Sequence, residues 1–214
     1  MHDQDAETPT RTTDHAIGDA NARRLRIGGA ACLLLAPLCL VLASSGQFSL
    51  WTATALARLG MAVMIGAVLA LYSELSATAP RMALFGSALA IGGATTGVAL
   101  TTALHYQSFL ADALDPATAL VVREALLTSN IYMFHVQLPI TGLCFPLGLL
   151  LLGAGFWSRR AAPRWLAAVL MLGALLFPAG RIPQSPTLVL ACDLTLLLAM
   201  GGFAVRRLRR AGAS

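Results

Sequence analysis

The chain has 214 residues, of which 57% are hydrophobic and only 12% are charged. Soluble globular domains carry about 25% charged residues, so this composition excludes an ordinary water-soluble fold and requires lipid to solvate part of the surface. All fifteen basic residues are arginines, and they flank apolar segments instead of forming a basic stripe, so the net charge of +5 does not indicate a nucleic-acid partner.

The two ends of the chain are polar. Residues 1–22 are acidic and hold almost no large apolar side chains. Such a segment cannot bury enough surface to order itself, so residues 1–22 are expected to form a disordered cytoplasmic tail. No cleaved signal is expected, because a secretory signal opens with a basic region that leads quickly into an apolar one. Residues 211–214 are expected to form a short C-terminal tail.

Between the two tails lie six apolar runs. Each is long enough to cross a hydrocarbon core of roughly 30 Å at about 1.5 Å per helical residue. A segment in lipid must satisfy its own backbone hydrogen bonds, so each run is predicted to be an α-helix. The predicted fold is therefore all-α, a polytopic bundle of six transmembrane helices within residues 23–210. The predicted spans are 27–45, 52–72, 82–104, 132–157, 164–180 and 187–205.

The arginines predict the orientation of this bundle. With a cytoplasmic N-terminus, twelve arginines lie on the cytoplasmic side, two (Arg123 and Arg181) lie outside, and Arg58 lies inside a span. Because cytoplasmic loops carry the excess of positive charge, both termini are expected in the cytoplasm. The absence of lysine and the abundance of Ala, Leu and Gly are typical of GC-rich bacterial genomes, so the expected location is the bacterial cytoplasmic membrane.

The longest link between spans, residues 105–131, is predicted to lie on the outer side. Asp115 and Pro116 form a favourable helix cap and first-turn pair. Leu120, Val121 and later apolar residues follow at helical spacing. A short amphipathic outer helix is therefore predicted near 116–128; the alternative is a turn that precedes the fourth span.

Two ionisable residues stand out inside the predicted spans, where charge is costly and usually faces the protein interior. Arg58 lies about six residues into the second span from the outer side, and Asp193 lies about as far into the sixth, so both are roughly 9 Å below the outer surface. Equal depth and opposite charge predict an Arg58–Asp193 ion pair that locks two helices together. The alternative is a polar site for a substrate or a proton.

The outer side is also the predicted region richest in other polar groups. These groups are His105, His135, Glu124, Gln137 and Arg181. An outward-facing polar cavity is therefore predicted among the second, third, fourth and sixth spans. The residues expected to line it are Arg58, His105, His135, Arg181 and Asp193.

Three interpretations of the two histidines stay open. His105 ends the third span and His135 begins the fourth, so the pair could hold haem b as axial ligands in an electron-transfer protein. A divalent metal could instead be held by both histidines with Asp112 or Glu124. The third interpretation is ordinary hydrogen bonding at the membrane interface, with no cofactor or metal. The four cysteines lie in apolar stretches without CxxC spacing and are expected to pack as small hydrophobes.

The chain contains no HExxH, GxSxG or GxxxxGK[ST] motif, so an enzyme is not favoured. The expected function is that of a non-enzymatic bacterial membrane protein with an outward-facing polar cavity. The alternatives are the haem b protein and a small-solute transporter.

The most distinctive stretch runs from Pro146 to Pro183 and reads PLGLLLLGAGFWSRRAAPRWLAAVLMLGALLFPAGRIP. A span rich in Gly and Leu is followed by a tight arginine-rich turn and then by Pro163-Arg164-Trp165-Leu166. This stretch resembles the hairpin of small, uncharacterised six-span bacterial membrane families of the domain-of-unknown-function type. The resemblance covers less than a quarter of the chain, implies the same topology, and carries over no activity and no catalytic residues.

Overall fold

The computed structural model describes residues 10–129 and 138–212. Every regular element in these ranges is an α-helix, and six of the helices are long and apolar enough to cross a membrane, which confirms the predicted all-α bundle with six spans. The helices are α1 (Thr10–Ser44), α2 (Leu50–Leu75), α3 (Pro80–Ala113), α4 (Pro116–Ser129), α5 (Leu138–Arg159), α6 (Arg164–Arg181) and α7 (Pro186–Gly212).

The ends of the bundle differ from the sequence prediction. Helix α1 begins at Thr10, inside the segment 1–22 for which the sequence predicts disorder, and α7 continues to Gly212, into the predicted tail 211–214. Nucleation is the costly step of helix formation, and the apolar part of α1 already supplies a helix to which the preceding residues can add. The composition of residues 10–22 therefore does not prevent helical backbone there.

Helix α4 covers the stretch for which the sequence predicts a short helix. Asp115 caps it, because Oδ1 accepts hydrogen bonds from the backbone N–H groups of Ala117 and Thr118, each at 3.1 Å. Hydrogen bonds from the side chain and backbone of Thr118 hold the pKa of Asp115 below its usual value. Helix α3 extends to Ala113 and leads directly into this cap.

The six spanning helices form a closed ring. Each packs against its neighbours in the order α1, α2, α3, α5, α6 and α7, and α7 packs back against α1. Successive spans run in opposite directions, so each end of the ring gathers its own set of helix termini. We call one the arginine-rich end, since it gathers Arg23, Arg24, Arg26, Arg81, Arg159, Arg160, Arg164, Arg206, Arg207, Arg209 and Arg210. We call the other the cavity end.

Large apolar side chains fill the interior of the ring toward the arginine-rich end. The rings of Phe156 and Phe203 lie 4.7 Å apart between α5 and α7, and both side chains are fully buried. Phe145 and Phe177 form a second pair, 4.9 Å apart, nearer the cavity end. This packing closes the centre of the ring.

Helices α3 and α5 pack especially closely. A Cβ atom added at Gly148 would overlap the backbone nitrogen of Ala90, and one added at Gly93 would overlap the backbone nitrogen of Phe145. Ala90 and Ala94 are fully buried. The small residues of α3 are spaced as in membrane helices that approach closely, and the structure shows that the partner helix is α5.

Arg207 joins three helices at the arginine-rich end. Its Nε donates to the carbonyl of Arg26 at 3.1 Å, and its Nη1 donates to the carbonyl of Ala70 at 3.0 Å and to Ser73 Oγ at 2.9 Å. The same Nη1 lies 3.6 Å from Glu74 Oε1. Arg207 therefore ties the closing helix α7 to α1 and α2.

Candidate functional site: a cavity between the six spans

The cavity end of the ring holds a cavity of about 730 Å³. All six spanning helices contribute to its lining, and most of the lining atoms are apolar. Small-molecule sites typically have volumes of roughly 300–1,000 Å³, apolar walls and a few polar groups. Size and lining both fit a site for one small molecule.

The cavity exists because the inward-facing residues change size along the helices. The inward face of α2 begins with Ala53 and Ala57, continues with Met61 and Met64, and later carries Leu71. These positions are three, four or seven residues apart, so they lie on one face of the helix. Small side chains therefore leave space at the cavity end, and larger ones fill the ring beyond it.

A buried ion pair forms part of the cavity wall. Nη2 of Arg181, at the end of α6, donates to Oδ1 of Asp193 on α7 at 2.8 Å. The Asp193 side chain is 1% exposed and that of Arg181 is 29% exposed. The guanidinium of Arg181 also lies over the ring of Phe177, 4.5 Å from its centroid, in a cation–π contact.

The predicted Arg58–Asp193 pair is wrong, because Arg181 is the partner of Asp193. Arg58 is only half-buried and does not line the cavity. Equal depth is necessary for such a pair, but each side chain must also lie on the inward face of its helix. Arg58 follows the inward-facing Ala57 and lies about 100° further round α2.

The ion pair leaves one donor and one acceptor unused. Nε of Arg181 and Oδ2 of Asp193 are both buried, and neither has a hydrogen-bond partner among residues 10–129 and 138–212. The side chain of Ser44 on α1 interacts with Asp193, but its hydroxyl donates to the carbonyl of Leu40 at 3.0 Å. A buried polar atom without a partner costs about 1–3 kcal/mol, so the described residues satisfy the pair only in part.

His105 lies behind the cavity wall, between α2 and α3. Its Nδ1 is 3.0 Å from Oγ1 of Thr54, which does line the cavity, and its ring centroid is 5.0 Å from that of Trp51. The Thr54 hydroxyl has one hydrogen and lies 2.9 Å from the carbonyl of Trp51. When that hydrogen is donated to the carbonyl, Thr54 accepts from Nδ1–H, and Nε2 becomes the acceptor atom of the ring.

The other predicted site residues are Glu124, His135, Gln137 and Asp112. Glu124 is exposed on α4 and does not line the cavity. His135 and Gln137 lie outside the described residues, and so does the side chain of Asp112. No group of three or more His, Cys, Asp or Glu side chains suited to a metal ion occurs in the described part of the chain. The haem and metal hypotheses stay predictions.

Several lining residues were not identified from the sequence. Thr141 on α5 lines the cavity and donates to Oγ1 of Thr96 on α3 at 2.8 Å. Ser44 and Thr54 also line it. Hydroxyl side chains in helices commonly bond to their own backbone, so their spacing carries no distinctive signal for a site.

The cysteines are free thiols and form no separate site. Cys192 is fully buried, and its Sγ donates to the carbonyl of Gly173 at 3.3 Å, which joins α7 to α6. Cys32, Cys39 and Cys144 are half-buried. All four are therefore placed as parts of the helix packing.

No protein-family model, no curated protein and no solved structure matches this chain. The resemblance of residues 146–183 to small six-span bacterial families therefore stays a prediction. Function is therefore inferred from the cavity and from the ion pair in its wall.

Proposed function

We propose that this multi-pass protein is a non-enzymatic membrane protein that binds one small, largely apolar molecule in the cavity between its six spans. The apolar part of the molecule occupies the cavity, and its polar end lies at Arg181 and Asp193. The observation that carries the proposal is a cavity of about 730 Å³ whose mostly apolar wall contains this ion pair. Such a wall binds hydrocarbon by burial, while a few polar groups set the orientation of the ligand.

The position of the ion pair supports a role in recognition. A buried ion pair adds little net stability compared with apolar residues of similar volume, so stability alone is a weak reason for its presence. Arg181 and Asp193 border open space, whereas the centre of the ring is packed with phenylalanine. A polar pair at the edge of an apolar cavity is suited to hold one end of an amphipathic molecule.

We also propose that the cavity opens to the outer side of the bacterial cytoplasmic membrane. The support is the arginine distribution, since one end of the ring gathers most of the positive charge, as cytoplasmic ends do. In this orientation both termini are cytoplasmic and α4 lies on the outer side.

Binding is favoured over a small-solute transporter. A transporter needs the cavity to open alternately at both ends, but the ring interior beyond the cavity is filled by buried residues such as Phe156 and Phe203. A haem protein of the predicted kind needs His135 as the second ligand; that residue lies outside the described structure, so the haem alternative stays a prediction. His105 contacts Thr54 and Trp51.

The test uses the full-length protein in phosphatidylcholine nanodiscs with a photoreactive dodecane, which has no polar head group. We expect cross-linking to residues that line the cavity, and we expect excess unlabelled dodecane to compete. Labelling that falls only on lipid-facing residues such as Leu84 and Phe85, which are 57% and 63% exposed, would contradict the proposal.

Two glycine variants provide a matched pair for this test. Gly142 lines the cavity and a Cβ added there meets no atom within 4 Å, so Gly142→Phe should occupy part of the cavity without a clash. Gly92 has equal space but lies on an exposed face of α3. We expect Gly142→Phe to reduce cavity labelling severalfold and Gly92→Phe to leave it unchanged. Equal labelling of both variants would overturn the proposal.

A further inference from the structure

We infer that the molecule bound in the cavity ends in an uncharged group that both donates and accepts a hydrogen bond, such as an alcohol or a primary amide. This inference rests on the proposed function, because it specifies the chemistry of the ligand in the same cavity. The observation behind it is that the Arg181–Asp193 pair keeps one buried donor and one buried acceptor that have no partner among the described residues.

The charge of the wall favours an uncharged group. Arg181 and Asp193 neutralise each other at 2.8 Å, and they are the only ionisable side chains among the described residues that line the cavity. A charged head group would therefore enter an apolar wall without a free counter-charge. Burial of an unpaired charge is far more costly than burial of a neutral group that forms hydrogen bonds.

The unused atoms define what the neutral group must do. Nε–H of Arg181 can only donate, and Oδ2 of an ionised Asp193 can only accept. Both atoms are fully buried, so a ligand reaches them only when the Arg181 side chain, which is 29% exposed, shifts. A ligand that then satisfies both atoms must accept one hydrogen bond and donate another. A hydroxyl or a primary amide does both, whereas an ester only accepts. Each bond would involve a charged protein group, which makes it stronger than a bond between neutral groups.

Gln184 also lines the cavity but is exposed, so its amide can bond to water. The hydroxyl side chains of the described wall already have partners. Ser44 donates to the carbonyl of Leu40, and Thr101 donates to the carbonyl of Gly97 at 2.8 Å. The hydroxyls of Thr54 and Thr141 are bonded to His105 and Thr96. The ion pair is therefore the place in the described wall where a ligand gains the most from hydrogen bonding.

The experiment measures how well matched molecules displace photoreactive dodecane from the cavity of the full-length protein. The competitors are dodecanol, dodecanamide, methyl dodecanoate, dodecanoate and dodecyltrimethylammonium, which share one hydrocarbon length. We expect dodecanol and dodecanamide to displace the probe at concentrations about tenfold lower than the others. Equal competition by the ester, or stronger competition by either charged molecule, would overturn the inference.

A double variant separates this inference from the proposed function. Arg181→Met combined with Asp193→Leu removes both unused atoms together and leaves no unpaired charge, so it is expected to fold. It should still bind photoreactive dodecane but lose the preference for dodecanol over the ester. If the preference for dodecanol persists, the ion pair does not recognise the head group, although the cavity still binds hydrocarbon. If the wild-type cavity never binds the probe, the proposed function itself fails.

Discussion

Arg181 and Asp193 are twelve positions apart in the chain and meet at 2.8 Å across the short connection between α6 and α7. The pair therefore joins two neighbouring helices of the ring and does not bridge opposite sides of the cavity. Its two members differ in burial, since Asp193 is fully enclosed and Arg181 remains partly exposed. This asymmetry determines what each substitution should do.

Arg181→Met is expected to destabilise the protein more than Asp193→Leu. The first change leaves a buried carboxylate without its partner, which costs about 3–5 kcal/mol. The second leaves an arginine that can extend toward the membrane surface. The double variant should be close to wild type in stability. Thermal unfolding in detergent compares the stability of the two single variants and the double variant. Arg58→Met is the control, and its stability should change little. If the losses of stability in the two single variants add up in the double variant, the two side chains act independently.

The close packing of α3 and α5 predicts a strong difference between two glycines of the bundle. Gly148→Leu should destabilise the protein by about 1–3 kcal/mol or more, because its Cβ would overlap the backbone of α3 and backbone atoms cannot rotate aside. Gly92→Leu should have little effect, since nothing lies within 4 Å of that position. Melting temperatures in one detergent compare the two variants. Equal melting temperatures would mean that α3 and α5 do not pack in this way.

Arg207→Ala should weaken the closure of the ring. The side chain donates to Ala70 and Ser73 on α2 and to Arg26 on α1, and hydrogen bonds from a charged group contribute about 1.5–3 kcal/mol each. We expect Arg207→Ala to lower the free energy of unfolding by at least that amount. Arg209, which is exposed, supplies the control, and Arg209→Ala should stay within about 0.5 kcal/mol of wild type. Similar losses in both variants would indicate a general effect of charge.

The cap of α4 should depend on pH. Since the pKa of Asp115 is lowered in the folded protein, its stabilising effect is fully present above the ordinary aspartate value of about 3.9 and is lost as the pH falls through the lowered folded value. Hydrogen exchange at the amides of Ala117 and Thr118, corrected for intrinsic exchange, measures the loss of the capping hydrogen bonds. Asp115→Asn keeps the acceptor but does not titrate, so its protection should not change over this range.

The proposed orientation can be tested with single cysteines in a cysteine-free background. Thr118→Cys on α4 should react with a membrane-impermeant maleimide in intact bacterial cells permeable only at the outer membrane. Arg160→Cys at the arginine-rich end should react only after the cytoplasmic membrane is opened. The reverse pattern would place the cavity on the cytoplasmic side.

The number and type of the spans follow from the order of the residues alone. A run such as 52–72 must be helical in lipid, because its backbone must form its own hydrogen bonds and its side chains must match the hydrocarbon around them. The cap at Asp115 was also evident, since it depends only on residues a few positions apart. These properties are local, so they can be derived from the residues in order.

Which side of each helix faces inward depends on how the six helices pack together. Lipid is as apolar as a leucine side chain, so a hydrophobic pattern does not separate the lipid face of a span from its packed face. For that reason the sequence matches Arg58 with Asp193 in depth, while the ring places Arg181 beside Asp193. The cavity arises in the same way: small residues such as Ala57 and Gly142 leave space only because six helices turn them toward one centre.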